Sequence, residues 1–293
     1  MNKYFTVNIG KYALESNFSV YYPASLNYPK DNAVMFIVES FMKYAGALLK
    51  CRNCLVFWPQ QVQVSDEIAK RHVIYKCEDP RREYARFFRD NGITHHPENI
   101  VYECVDGAFI SKKASIGKNV QIFPGAYIGE ALIGNNVYIG SGVRLIGKVC
   151  IGNNVIIREN TVIGADGLTT QRDETGKAMM IPQFGGTIIE DDVQIGALSV
   201  IARGAIDNTI IHRGAKIDNC CFISHNSEIG EDTYIVGETI MFGSTSTGAQ
   251  SYISGNVTVR DGVHIGAYAK VGMGAVVTKD VEEGCTVKGN PAR

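Results

Sequence analysis

The sequence lacks an excess of either charge: 29 Lys and Arg stand against 30 Asp and Glu in 293 residues. Nucleic-acid binders ordinarily carry a basic face, so that class is set aside. There is no run of about 18 apolar residues, the length a membrane helix needs, and no membrane span is expected. The opening residues, Met1-Asn2-Lys3-Tyr4-Phe5, have no apolar core of the kind a secretory signal carries, and polar residues from Glu15 to Tyr28 follow. A cytoplasmic protein is the expectation. The eight cysteines form no regular framework. A chain this long buries enough surface without disulfides, so they read as reduced thiols. Cys51-Arg52-Asn53-Cys54 has CxxC spacing but no second CxxC to complete a zinc site, and no thioredoxin-like context. It reads as two partly buried cysteines at a strand start, with no metal.

What is present is a repeat. From about residue 112, aliphatic residues recur mostly every six positions, as in Ile116, Ile122 and Ile128, then Ile133, Ile139, Leu145, Ile151, Ile157 and Ile163. A second run includes Ile189, Ile195, Ile201, Ile206, Ile211, Ile217, Ile223, Ile229, Ile235 and Met241, and continues through Ile253, Val259, Ile265, Val271 and Val277. This period fits neither a helix nor simple strand alternation. Three hexads make one triangular coil, each supplying a short strand and a corner. The aliphatic residue points inward and stacks on its equivalent about three hexads away. Asn135, Asn136, Asn153 and Asn154 fall at corners, where φ becomes positive. Five-residue steps fall at Ile128–Ile133, Ile201–Ile206 and Ile206–Ile211. A long interruption separates Ile163 from Ile188, and a loop of that length in a compact repeat is usually functional or disordered.

The segment before the repeat differs. Residues 33–38, 54–58 and 73–75 read as strands, and 40–49 and 79–90 as helices, the latter with Asp79 as N-cap and Pro80 at the first helical position. The expected organisation is mainly β: a parallel β-helix over 99–293 with a loop insertion at 165–187, preceded by a small α/β domain over 1–98 that is a candidate for nucleotide binding. Gly92 to Glu98 reads as the linker.

Three motifs carry a resemblance: Gly164-Ala165-Asp166-Gly167 with Ile181-Pro182-Gln183; Ile201-Ala202-Arg203-Gly204-Ala205 with Asp207 and Thr209; and Lys216-Ile217-Asp218-Asn219 with Ile223-Ser224-His225-Asn226. In these, and over about Ala33 to Val281, the chain resembles the UDP-3-O-acylglucosamine N-acyltransferases of lipid A synthesis. The resemblance implies a left-handed coil. The ending Val287-Lys288-Gly289-Asn290-Pro291-Ala292-Arg293 departs from that family and resembles hexapeptide acetyltransferases that use acyl-CoA. The expected function is therefore N-acyl transfer from an acyl-CoA to the amine of a UDP- or dTDP-linked amino sugar, for bacterial surface polysaccharide. The lipid A reaction itself, with an acyl carrier protein as donor, is the alternative.

Making an amide from a thioester needs a base for the amine proton, and an imidazole suits that at neutral pH. His225 is the histidine inside a matching motif. Asp218 matches an acidic position and is expected to orient the imidazole or the amine. A backbone N–H near Gly243 is expected to meet the oxyanion. Gly266, Ala267, Gly272 and Gly274 are expected to admit pantetheine, and Lys270, Lys279, Lys288 and Arg293, with Pro291 beside them, to meet donor phosphates. The resemblance implies an aromatic pair on the nucleobase, for which Phe36 and Tyr44 are candidates, and substrate contacts at Gln183, Asn219 and Asn226. A metal-dependent β-helix would gather histidines on one face, and His212, His225 and His264 do not share one in this register. A triangular prism offers flat faces rather than a concavity, so a homotrimer with sites between subunits is expected.

Overall fold

A computed structural model describes residues 3–13, 18–94 and 100–293. The centre of the expected linker, His95 to Glu98, lies outside the described residues. The chain divides into two compact units: Met1–His96 with Leu168–Phe184, and Pro97–Gly167 with Gly185–Arg293. Most of the insertion expected within the β-helix domain therefore groups with the N-terminal unit.

In that unit four parallel strands, Tyr22–Pro23, Ala33–Phe36, Leu55–Pro59 and Val73–Cys77, pair in chain order. The helix Pro80–Asp90 begins as its sequence requires. The Asp79 carboxylate accepts from Arg82 N at 2.9 Å, and Pro80 occupies the first turn, where no N–H is missed. Between Thr170 and Met180 the insertion is an antiparallel hairpin packed on this helix. Gln171 donates to Asp79 at 3.0 Å, and Arg86 pairs with Glu174.

Cys51 and Cys54 are buried, with their sulfurs 3.7 Å apart and His72 beside them. Both His72 nitrogens are committed to backbone: Nε2 lies 2.9 Å from Leu48 O, and Nδ1 accepts from Cys54 N at 3.3 Å. Sharing its S–H with Cys51, together with burial, holds the Cys54 thiol well above its ordinary pKa. The cluster is core, more deeply buried than the sequence suggested.

The second unit is a triangular β-helix with three parallel faces. Each full coil runs through a first face, as at Tyr138–Ile139, a second, as at Arg144–Leu145, and a third, as at Val149–Ile151. Inward residues stack in register: on the second face Leu145, Ile163, Ile201, Ile223, Met241 and Val259 form one column. All are essentially inaccessible to solvent. Asn136 and Asn154 take positive φ at a corner, while Asn135 and Asn153 instead accept the N–H of the preceding coil. Ile206 is not an inward rung. It lies in a turn over 203–208 between the strands Val200–Ala202 and Thr209–Ile211, which lengthens that coil by four residues without interrupting the stack.

Ile157 is fully buried on the first face, between Ile139 and Ile195. Its truncation removes transfer energy and leaves a cavity that a stacked coil cannot close. Ile157→Ala is expected to cost about 2–5 kcal/mol, read as a lower denaturation midpoint. An unchanged midpoint would contradict the column as the source of stability.

Candidate active site

His225 follows the second-face strand Phe222–Ile223, at the corner leading to the third face. The next residue, Asn226, turns the corner with φ 57°. Its Oδ1 accepts from Ala205 N at 3.0 Å, and its Nδ2 donates to Asp207 O at 3.3 Å. These two backbone partners fix which end of the amide is oxygen. That oxygen lies 3.1 Å from His225 Nδ1. An amide oxygen only accepts, so Nδ1 carries the proton and Nε2 presents its lone pair.

The imidazole is gripped by glycines. A methyl group on Gly167 would lie 2.7 Å from His225 Cβ and Cδ2. One on Gly243, in the next coil, would lie 2.5 Å from Cε1 and 2.7 Å from Nε2. Both are closer than carbon atoms approach without displacement. Among the described residues the Gly243 N–H makes no hydrogen bond, while its carbonyl accepts from Gly262 N at 2.9 Å.

Asp218 does not orient this ring within the chain. It follows the first-face strand Lys216–Ile217, one corner earlier, with the Phe222–Ile223 strand between. Its carboxylate accepts from Asn219 Nδ2 at 3.0 Å and from Gly237 N at 3.2 Å. Asn219 Oδ1 in turn accepts from Ala197 N at 2.7 Å. Both residues border a shallow hollow of about 440 Å³ on the first face, with Arg158, Lys216, Tyr234 and Tyr252.

The expected donor residues do not line one groove of a single chain. Register places Gly243 and Lys279 below His225 at its own corner. Gly272 and Lys288 lie below Asp218, and Lys270 opens the strand leading to that corner. Gly274 follows in the turn, and Arg293 pairs its backbone with Lys288, folding the exposed Pro291 beside it. Gly266 and Ala267 occupy the third corner.

Three substrate assignments change. Phe36 is half-buried and packs on Tyr84 with ring centroids 4.8 Å apart, so its ring is not paired with Tyr44. Tyr44 is exposed, and its aromatic neighbour is the equally exposed Phe41, at 6.1 Å. That pairing follows from their spacing on the 3-10 helix Glu39–Lys50, a signal present in the sequence but unread. Gln183 is buried, donates to Ile181 O at 3.1 Å and presents nothing to solvent. Asn226, expected to touch substrate, is engaged with the imidazole and with the backbone of Ala205 and Asp207.

Residues 113–146 and 130–165 match the bacterial transferase hexapeptide family (six repeats). The chain carries the transferase hexapeptide repeat. Similar proteins include a UDP-3-O-acylglucosamine N-acyltransferase from Coxiella burnetii, 40% identical, the match covering 46% of this chain and 47% of the relative. Another of that name, from Wolinella succinogenes, is 37% identical over 48% of this chain and 44% of its own. The chain thus spans about half the length of the curated relatives it matches. Among solved structures, a UDP-N-acetylglucosamine acyltransferase from Bacteroides fragilis superposes with TM-score 0.59 at 24% identity, covering 65% of this chain and 73% of that one. One from Campylobacter jejuni gives 0.57 at 22%, with the same coverage. Hexapeptide repeats and these neighbours make the coil a left-handed parallel β-helix. No helix among the described residues is long and apolar enough to cross a membrane.

Proposed function

We propose that the protein is an N-acyltransferase that moves an acyl group from a thioester to the amine of a UDP-linked amino sugar, with a 3-O-acylated glucosamine as acceptor. The observation that carries this is the His225–Asn226 pair, which turns the Nε2 lone pair away from Asn226 at a half-buried corner. The neutral amine attacks the thioester carbonyl. Nε2 takes the amine proton as the C–N bond forms, and returns it to the sulfur as the C–S bond breaks. Gly243 N–H is the candidate donor to the transient oxyanion.

The relatives' names support this acceptor over the dTDP-linked or other nucleotide amino sugars expected from the C-terminal residues. Acyl-CoA and acyl carrier protein present the same thioester to the base. On the carrier-protein or CoA side, Lys279, below His225 at its own corner, is the candidate cation for a donor phosphate. The Asp218 and His225 corners are separate in one chain. The assembly proposed is a homotrimer packed side by side, in which one chain's His225 corner faces its neighbour's Asp218 corner.

The exposed Phe41–Tyr44 pair suits a nucleobase. Alanine at either position is expected to weaken binding of UDP about tenfold, within the range base stacking supplies. Unchanged UDP affinity in both variants would remove the pair as a nucleobase platform. The function is tested by thiol release from an acyl-CoA and from an acyl carrier protein. Release is expected with UDP-3-O-acylglucosamine, whose amine is free, and not with its N-acetylated counterpart, whose amine is blocked. Equal release with both acceptors, or none with any donor, would contradict the reading.

A further inference from the structure

Arg203 is a buried cation, only 2% exposed although it stands at a corner outside the aliphatic columns. It follows the second-face strand Val200–Ala202, one coil above His225. Its surroundings are shaped to admit it. A methyl on Gly147, in an adjoining coil, would lie 2.7 Å from its Nη1. Its backbone N–H donates to Ala165 O at 2.9 Å, beside the register shift between Ile163 and Ala165. Its Nε donates to Gly185 O at 3.0 Å, and its Nη1 lies 3.6 Å from Asp166 Oδ1. Gly185 is where the chain returns to the coil after the insertion, and Asp166 lies just before its departure.

The next residue, Gly167, is the one pressed against the His225 ring. A burial this complete is stable only when the charge is paired and its N–H groups are used. The guanidinium suits the task because its planar fork reaches two directions at once, as an ammonium does not.

We propose that Arg203 is a positioning residue for His225. By tying Asp166 and Gly185 together it holds Gly167 against one face of the imidazole, while Gly243 bounds it below, so that Nε2 keeps one direction. This rests on the proposed role of His225 as base, but the geometry it predicts is readable without turnover.

The test uses the full chain with 13C-labelled histidine, the His225 ring signals being assigned by their loss in His225→Gln. Asp166 is about half exposed, so Asp166→Asn preserves the fold while weakening the tie. Arg203→Lys keeps the charge but loses the fork. Both variants are expected to shift or broaden the His225 Cδ2–H and Cε1–H signals, leaving His212 and His264 unmoved. Both are expected to lower kcat about tenfold, as small misplacements of a reacting group do, with KM within twofold. Arg203→Met is expected to fall further than Arg203→Lys. Unchanged His225 signals in folded Asp166→Asn would overturn the proposal, whatever Arg203→Lys does to folding. A moved ring in a protein whose wild type transfers no acyl group would support the positioning and overturn the function instead.

Discussion

His225→Ala is expected to lower acyl transfer by about two to four orders of magnitude, the range a general base contributes. The protein should remain folded, because the imidazole lies at a corner outside the aliphatic columns and its loss opens no cavity among them. What disappears is the acceptor for the amine proton. Asn226 does not take over: its oxygen is already engaged by Ala205 N, and an amide is not basic. The measurement is kcat with saturating thioester, alongside the thermal midpoint. Near-wild-type turnover in a folded His225→Ala would remove the residue from the mechanism.

Gly243→Ala keeps the backbone N–H and is expected to cost about 10²-fold in kcat, the scale of misaligning the base. The glycine does not have a positive φ, so alanine meets no backbone objection there. The obstacle is the ring: the added carbon would sit 2.5 Å from His225 Cε1. The coil backbone is held by hydrogen bonds above and below, including Ser244 N to His225 O at 2.8 Å. The imidazole is therefore the part that moves. Gly46→Ala, where nothing lies within 4 Å of the new carbon, serves as the control and should be silent. Equal activity in Gly243→Ala and wild type would show that the ring does not work from the observed position.

The coil was legible in the sequence because its inward residues obey a single period, so Ile116 to Ile163 and Ile211 to Val277 could be assigned to columns from spacing alone. The Asp79–Pro80 helix start was equally legible, since capping is local chemistry. Ile206 misled because an aliphatic residue five positions from its neighbours imitates a short step. Only the forward pairing of Ile201 with Ile223 reveals the longer coil.

At the site, His225 and Gly243 were readable from motif and register. The orienting group was not. Asp218 was expected there because it matches an acidic position of the family it resembles, but seven residues of β-helix are enough to pass from one corner to the next, and it is Asn226 that neighbours the ring. Phe36 was a candidate because the resemblance implies an aromatic pair, and the sequence does not reveal that its half-buried ring lies against Tyr84. The insertion looked like a free loop because its pairing partner, the helix Pro80–Asp90, is distant in sequence.

The central claim is that His225 serves a reaction at nitrogen. The most direct measurement is the linkage in the product formed from an acyl thioester and UDP-3-O-acylglucosamine, read by tandem mass spectrometry before and after mild alkali, which cleaves esters and spares amides. The account predicts one new acyl group on the sugar nitrogen, surviving alkali, formed by wild type and nearly absent with His225→Ala. A new acyl group lost in alkali, or an amide formed equally well by His225→Ala, would contradict it.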